Sequence, residues 1–386
     1  MTSWEGWTSS PKMLRVTEPM KCNQVTMVDC PRVSLNTLSC SLLSAIMDPP
    51  NAVAANAFVN VTLSGVTKDA TPLILNRGVP RPNKPYLLDG APKIAITGKR
   101  PRKRLPSKLP PPGNLKFHLA LGNKIGRGRV GRVYEATIDL TKSSPELSKM
   151  VLPPLVVKVS RRHDAKKLQR EAYYYEEMEC LQGSVIPRYY GLYQTTIQPT
   201  TDFLPWTHDK VNRRPGRHGD YSDESGSDSD SEEASKAASN DDDDEEDNDD
   251  DQESEVYSSD EEEPAAPTVV SILILERLGD RLPLRKPLPA GIQEELETIY
   301  SDLAQLGVDH CDIRYYNMLS APSPANSPLP SLPSPFTQRT YGWRLIDFDN
   351  ACKSNMNPMV FYGYHHDVIA RLVYNLPWGV IFEPWD

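Results

Sequence analysis

Several groups of residues in this chain have the chemistry to handle a phosphorylated ligand. Gly126-Arg127-Gly128-Arg129-Val130-Gly131-Arg132-Val133 follows the pattern G-x-G-x-x-G-x-V. Glycines let a backbone approach phosphate oxygens closely and present its N–H groups to them. Lys158 stands 27 positions after Gly131, inside the apolar run Leu155 to Val159. A cation embedded there needs a partner, because burying an unpaired charge is costly. His310-Cys311-Asp312-Ile313-Arg314-Tyr315-Tyr316-Asn317 reads H-x-D-x-x-x-x-N, and Asp347-Phe348-Asp349 begins 30 positions after Asn317. Asp312 has the chemistry to orient a hydroxyl and accept its proton. Asn317 and Asp347 offer the hard oxygen donors that Mg²⁺ requires. Each piece alone is weak, since three glycines in a tight hairpin look much the same. Their order along the chain is the specific signal.

The elements that must position these groups are legible from local pattern. Phe117 to Gly126 and Gly131 to Leu140 read as strands around the glycine turn, Leu155 to Val159 as a β-branched strand, and Ile186 to Thr195 as another. Lys166 to Leu181 contains no Gly or Pro and reads as a helix. It holds the expected partner of Lys158. Glu171 is preferred because Tyr175, four positions on, can pack beside it, and Glu176 is the rival. Order is expected to return at Thr268 to Leu278, whose apolar run Val269 to Leu275 is strand-sized. Ile292, Leu296, Ile299, Tyr300, Leu303 and Leu306 make one apolar helix face, with Gly307 placed to cap it. A Pro/Ser-rich loop fills 321–335, Tyr341 to Phe348 reads as a last strand, and His365 to Trp385 is expected to form one covering helix.

Composition sets the outer limits. The chain has 386 residues, 38% of them hydrophobic, and 36 prolines, so a large part should lie outside any core. The net charge of −9 hides a split. Residues 220–263 carry 23 acids and one base, Lys236, while the other 342 positions carry 42 basic and 29 acidic residues. The insert, taken as 199–267, is too polar to offset the entropy of ordering and is expected to be disordered. Its Ser227, Ser229 and Ser231 suit an acidophilic modifying enzyme, and a solubilising tether is the plainer reading. Residues 1–115 are expected to be largely irregular, with Asn56 to Leu63 as a short strand. No apolar run reaches membrane-spanning length, and the N-terminus lacks the layout of a signal peptide. The six cysteines show neither a disulfide framework nor paired zinc-ligand spacing, and are read as reduced thiols of a nuclear or cytoplasmic protein. The basic run Lys99 to Arg104 reads as a nuclear import signal or an anion patch, and the plainer reading is a solvated linker. Nucleic-acid binding is not expected, because aromatics do not interleave the basic run and the acidic insert would repel phosphate.

The glycine motif sits strand–turn–strand, which argues against a dinucleotide fold. Together with Lys158 in a V-A-I-K-like strand, His310 to Asn317 and Asp347-Phe348-Asp349, it resembles the eukaryotic protein kinase superfamily. The lines Leu181-Gln182-Gly183, Ile186-Pro187-Arg188, Leu275 to Gly279 and Leu306 to Asp312 look like divergent protein-kinase-like proteins of fungi. The resemblance covers about Phe117 to Asn350. It implies an α+β, bilobal kinase-like fold over 116–386, with a β-rich N-lobe and a shortened helical C-lobe. It also implies ATP held by Gly126, Gly128, Gly131, Val133 and Lys158, and Mg²⁺ held by Asn317 and Asp347. Asp312 is then the catalytic carboxylate, and Arg314 takes the place of a Lys that touches the γ-phosphate. Leu275 becomes the gatekeeper, with adenine bonded by the backbone from Glu276 to Leu278.

Three features depart from the pattern. Cys311 replaces the Arg that normally grips a phosphorylated loop, Asp349 replaces the Gly of D-F-G, and no A-P-E motif follows. Only 39 residues come after Asp347, which reduces the platform where peptide substrates dock. The expected function is a protein Ser/Thr phosphotransferase. The alternatives are a pseudokinase or scaffold whose acidic tract recruits basic proteins, and a small-molecule kinase like the aminoglycoside and choline phosphotransferases.

Overall fold

The structure is a computed structural model and describes residues 47–82, 102–210 and 267–381. Seven strands close into a barrel in the order β1-β2-β6-β7-β5-β4-β3. They are β1 (Phe58–Ser64), β2 (Leu73–Arg77), β3 (Leu115–Arg127), β4 (Gly131–Ile138), β5 (Leu155–Ser160), β6 (Tyr189–Ile197) and β7 (Thr268–Glu276). Every pair is antiparallel except β1 with β3, whose parallel ladder runs from Phe58↔Leu115 to Ser64↔Ala120 and closes the ring.

Side-chain alternation divides these strands between two cores. Leu155, Val157 and Val159 of β5 and Val270, Ile272 and Ile274 of β7 point into the barrel with Phe58, Val61, Leu63, Phe117 and Tyr193. Val156, Leu273 and Leu275, one residue out of phase, face outward into a second cluster. Strands buried on both faces read as continuous apolar runs, which explains LVVKV and TVVSILIL. Inside the barrel, Phe58 stacks on Phe117 with ring centroids 4.1 Å apart.

The second cluster joins the barrel's outer face to three α-helices, the only ones among the described residues. Helix α1 (Ala165–Glu177) buries Leu168, Ala172 and Tyr175. Helix α2 (Ile292–Gln305) buries the apolar face read from the sequence, and Gly307 follows it at φ +65°. Helix α3 (Pro358–Asn375) starts on a cap in which the Asn357 side chain accepts from the Met359 N–H, and it buries Phe361, His365, Ile369 and Leu372. Two small antiparallel ladders carry the connecting loops. One pairs β9 (Met318–Ser320) with β10 (Trp343–Leu345), and the other pairs β8 (Val308–Asp309) with β11 (Cys352–Lys353). No helix among the described residues is long and apolar enough to cross a membrane.

This architecture corrects the expected fold. The bilobal kinase-like arrangement with a helical C-lobe is not what forms: the strands close on themselves as a seven-stranded barrel, and three α-helices accompany them among the described residues. The difference comes from the residues before 115. Local pattern shows individual strands, but closure depends on β1 pairing in parallel with β3 and β2 pairing with β6, Asn76 opposite Gln194. A border at 115/116 would therefore cut through the barrel. The insert also starts later than position 199, because Phe203 and Trp206 are buried in the barrel core and the Trp206 indole N–H donates to the Ser160 carbonyl at 2.7 Å. Residues 211–266, with the acidic run and its serines, lie outside the described residues, as do 1–46, 83–101 and 382–386. Of the basic run, Arg102 lies over the Phe336 ring and Arg104 pairs with Glu179 at 3.6 Å. The expected strand over Tyr341 to Phe348 shrinks to β10, and the last helix begins at Pro358 rather than His365.

Candidate active site

The outward register of β5 directs Lys158 out of the barrel, opposite Val133 on β4 and Leu273 on β7. Helix α1 crosses that face and brings Glu171 to it. Lys158 Nζ donates to Glu171 Oε2 at 2.7 Å and to Asp347 Oδ1 at 2.5 Å, across 189 positions of chain. Glu171, not Glu176, is thus the helix partner. Lys158 and Glu171 are both buried, and Asp347 keeps its carboxylate partly open.

Two carboxylates sharing one ammonium in a buried place cannot both be fully compensated. Burial pushes Glu171 up to about 8, against the pull of Lys158 and with the help of the Asp347 charge. Burial also acts on Asp347, but Lys158, His310 and Arg129 outweigh it and hold that carboxyl below its usual range. For Lys158, burial disfavours the ammonium, and the charges of Asp347 and Glu171 more than reverse that. Burial and the neighbouring carboxylate thus favour the protonated form at Glu171, while Lys158 favours the anion at Asp347.

Asp347 is placed by two features. The β9–β10 ladder sets Met318 opposite Leu345, and the Ile346 N–H donates to the Asn317 carbonyl at 3.0 Å, so Asn317 and Asp347 emerge at the same end. Phe348 then turns inward, fully buried, with its ring against Tyr175 of α1 at 5.4 Å and His310 at 4.7 Å. The His310 ring in turn lies 2.8 Å from the Ile346 carbonyl through Nε2. Asp347 itself has φ +69°, a left-handed conformation that is uncommon for a residue with a Cβ and concentrates at functional sites.

Asp312 and Asn317 are buried neighbours. The Asn317 amide N–H₂ donates to the Asp312 carbonyl and to Asp312 Oδ2, both at 3.1 Å. With its nitrogen so engaged, Asn317 has its amide oxygen left as an acceptor. Arg314 is paired within the site. Its Nε lies 2.7 Å from Asp312 Oδ1, and its guanidinium covers the Tyr316 ring, so it neutralises Asp312 rather than standing free for a phosphate.

The glycines of the hairpin differ in what they need. A Cβ on Gly131 would meet the Val159 carbonyl oxygen at 2.5 Å, so close approach of β4 to β5 requires glycine there. A Cβ on Gly126 would meet Val133 at an ordinary 3.5 Å, and one on Gly128 nothing closer than 3.8 Å. Packing within the chain does not require those two glycines. The same point at Gly128 is 4.0 Å from Asp347 Oδ2, which sets the turn directly over that carboxylate. The turn is tied down by Arg129, whose guanidinium donates to Asp349 at 2.9 Å and to Asn350 at 2.5 Å. Val133 packs under the hairpin against the outer cluster.

The segment after Leu275 is also ordered. Glu276 is buried, and its carboxylate takes the Arg188 side chain at 2.8 Å and the Arg188 N–H at 3.1 Å. The N–H groups of Glu276, Arg277 and Gly279 donate to Arg188, Pro154 and Ser320. Leu278 is the residue of that stretch whose amide these bonds do not engage.

Sequence reasoning missed Arg129 and Asp349 as a pair, the Arg314–Asp312 contact, and the Arg188–Glu276 contact. Each joins positions far apart or reassigns a motif residue, and no local spacing signals it. No protein-family profile matches the chain, and no curated protein matches it.

Proposed function

We propose that this protein is a phosphotransferase that moves the γ-phosphoryl group of ATP to a hydroxyl, with a protein Ser/Thr side chain as the acceptor. The observation that carries this is the convergence of Lys158, Glu171 and Asp347 beneath a glycine turn, two of whose glycines the chain's own packing does not require. The reading rests on the site and not on the fold class.

Phosphoryl transfer asks a protein mainly for positioning and charge stabilisation. Lys158, held by Glu171, presents its ammonium to phosphate oxygens where it now meets Asp347. The Gly128 N–H already donates to the Gly131 carbonyl at 2.8 Å, so it is the other N–H groups of the Gly126–Gly131 turn that would close over the same oxygens. The donor set suits Mg²⁺: a carboxylate on Asp347 held ionised and an amide oxygen on Asn317 are both hard ligands. Bound there, the ion would neutralise charge on the phosphates. Asp312 orients the acceptor hydroxyl and takes its proton, once Arg314 swings from Oδ1 toward the incoming phosphate. The N–H of Leu278, which no backbone bond engages among the described residues, serves the adenine edge, with Leu275 beside it.

The test is transfer of label from ATP with Mg²⁺ to generic protein acceptors, beside Asp312→Ala. The reading expects transfer by the native chain and a loss of at least about 100-fold in the variant, the usual scale for removing a positioned acid–base group. Equal transfer by both forms would remove it.

A second reading, nucleotide binding without turnover, is favoured by one contact: Arg314 already neutralises the buried Asp312. It expects a thermal shift with ATP and no label transfer by either form. In that case the acidic tract would act as a recruiting surface for basic proteins. The basic run 99–104 is read as a nuclear import signal, with Arg102 and Arg104 released from Phe336 and Glu179 when it is used.

A further inference from the structure

Behind the candidate active site, the β8–β11 ladder gathers residues that no motif connects. Cys352 pairs with Asp309 across that ladder, and Cys311 follows two residues after Asp309. The two sulfurs lie 3.4 Å apart. One ligand atom each from Asp309, Cys311 and Cys352 falls within 4.8 Å of the others. Three groups that ionise to anions thus share one small volume.

A fourth side chain aims into it. His365 of α3 is 1% exposed, and its Nε2 lies 3.4 Å from Asp309 Oδ1. Its Nδ1 is buried and has no hydrogen-bond partner among the described residues. The same Asp309 oxygen accepts the Cys311 N–H at 3.0 Å, which fixes the carboxylate's direction. Cys311 itself sits at φ +54°, a conformation that turns its side chain back toward the ladder at a cost to a non-glycine residue.

From this geometry we infer a site for a borderline-soft divalent cation of the zinc type, bound by Cys311, Cys352 and Asp309, with His365 as the positioning residue behind Asp309. Thiolate sulfur selects such ions over Mg²⁺ or Ca²⁺. With Zn–S bonds of about 2.3 Å, tetrahedral geometry sets the sulfurs about 3.8 Å apart, a few tenths of an ångström beyond their present separation. The half-buried Cys311 leaves a way in, and a three-ligand site keeps one position for solvent. The ion would tie the residue preceding Asp312 to the segment five residues beyond Asp347, and so brace the two carboxylates of the candidate active site. The cysteine pair is 41 positions apart, so no zinc-type spacing appears in the sequence.

The test uses the full chain, treated with a chelator and kept in reducing buffer, then titrated with Co²⁺ and with Zn²⁺ against a chromophoric chelator. The expected result is one equivalent of Co²⁺ with a thiolate-to-cobalt charge-transfer band that Zn²⁺ displaces. Cys311→Ser and Cys352→Ser each remove the band. His365→Gln weakens binding by roughly 10- to 100-fold, as loss of an outer partner does. Should a serine variant fail to fold, Asp309→Asn gives a near-isosteric check with the same expected loss. Absence of the band, its survival in both serine variants, or a Cys311–Cys352 disulfide that persists in reductant would each overturn the inference. The readout is metal binding alone, so its failure is distinct from failure of phosphotransfer.

Discussion

Replacing Glu171 by Gln tests the charge balance at the centre of the site. The native cluster puts one ammonium between two carboxylates, and burial raises Glu171 from 4.5 to about 8. A group whose folded value is raised contributes stability that is fully present below its unfolded value and is lost as pH rises through the folded one. Between about pH 5 and 7.5 the folded state then holds one more proton at this site than the unfolded chain. The unfolding free energy should therefore fall by about 1.4 kcal/mol per pH unit from this group alone. Summed across the window from 4.5 to about 8, the difference reaches at most about 5 kcal/mol. Gln cannot titrate and keeps the oxygen that Lys158 meets. Denaturant unfolding of both forms at several pH values between 5 and 8 gives two curves. Subtraction cancels the contributions of Asp349, Asp302 and Glu176, which are also raised. The native form should lose ground against Glu171→Gln steadily as pH rises. Parallel curves would show that Glu171 is ionised throughout, and that one ammonium suffices for both carboxylates.

Further outcomes follow from the barrel and the glycine turn. Phe58→Ala removes one ring of the Phe58–Phe117 stack inside the barrel and should cost about 3–5 kcal/mol in urea unfolding; a change under about 1 kcal/mol would mean that β1 does not close the ring. Gly131→Ala should destabilise the fold, because its Cβ meets the Val159 carbonyl, whereas Gly126→Ala should leave unfolding nearly unchanged and weaken ATP binding measured by thermal shift. Equal melting of the two variants would contradict that division. Arg129→Ala cuts a tether that is exposed at Arg129 but anchored on the buried Asp349, so stability should fall by about 1–3 kcal/mol while amide exchange across 127–131 speeds up; unchanged exchange would show that the turn is held by its own hairpin.

Much of the local structure is written in short-range pattern. The hairpin around Gly128, the strand carrying Lys158, the helix carrying Glu171 and the face of α2 all follow from periodicity and breakers, because those signals act within a few residues. The sequence also brought Lys158, Asp312, Asn317 and Asp347 forward by type and order alone. Tertiary structure decided the rest. Closure of the barrel needed β1 and β2, short strands among prolines whose partners on β3 and β6 lie 56 to 118 positions away. The choice of Glu171 over Glu176 depended on which face α1 turns to β5. The capture of Asp312 by Arg314, of Glu276 by Arg188 and of Asp349 by Arg129 depended on loops meeting across the fold. The gathering of Asp309, Cys311, Cys352 and His365 is of the same kind. A side chain's type and neighbours in sequence set what it can do, but its protonation and its partner follow from the charges and buried surface that folding brings around it, and those come from distant parts of the chain.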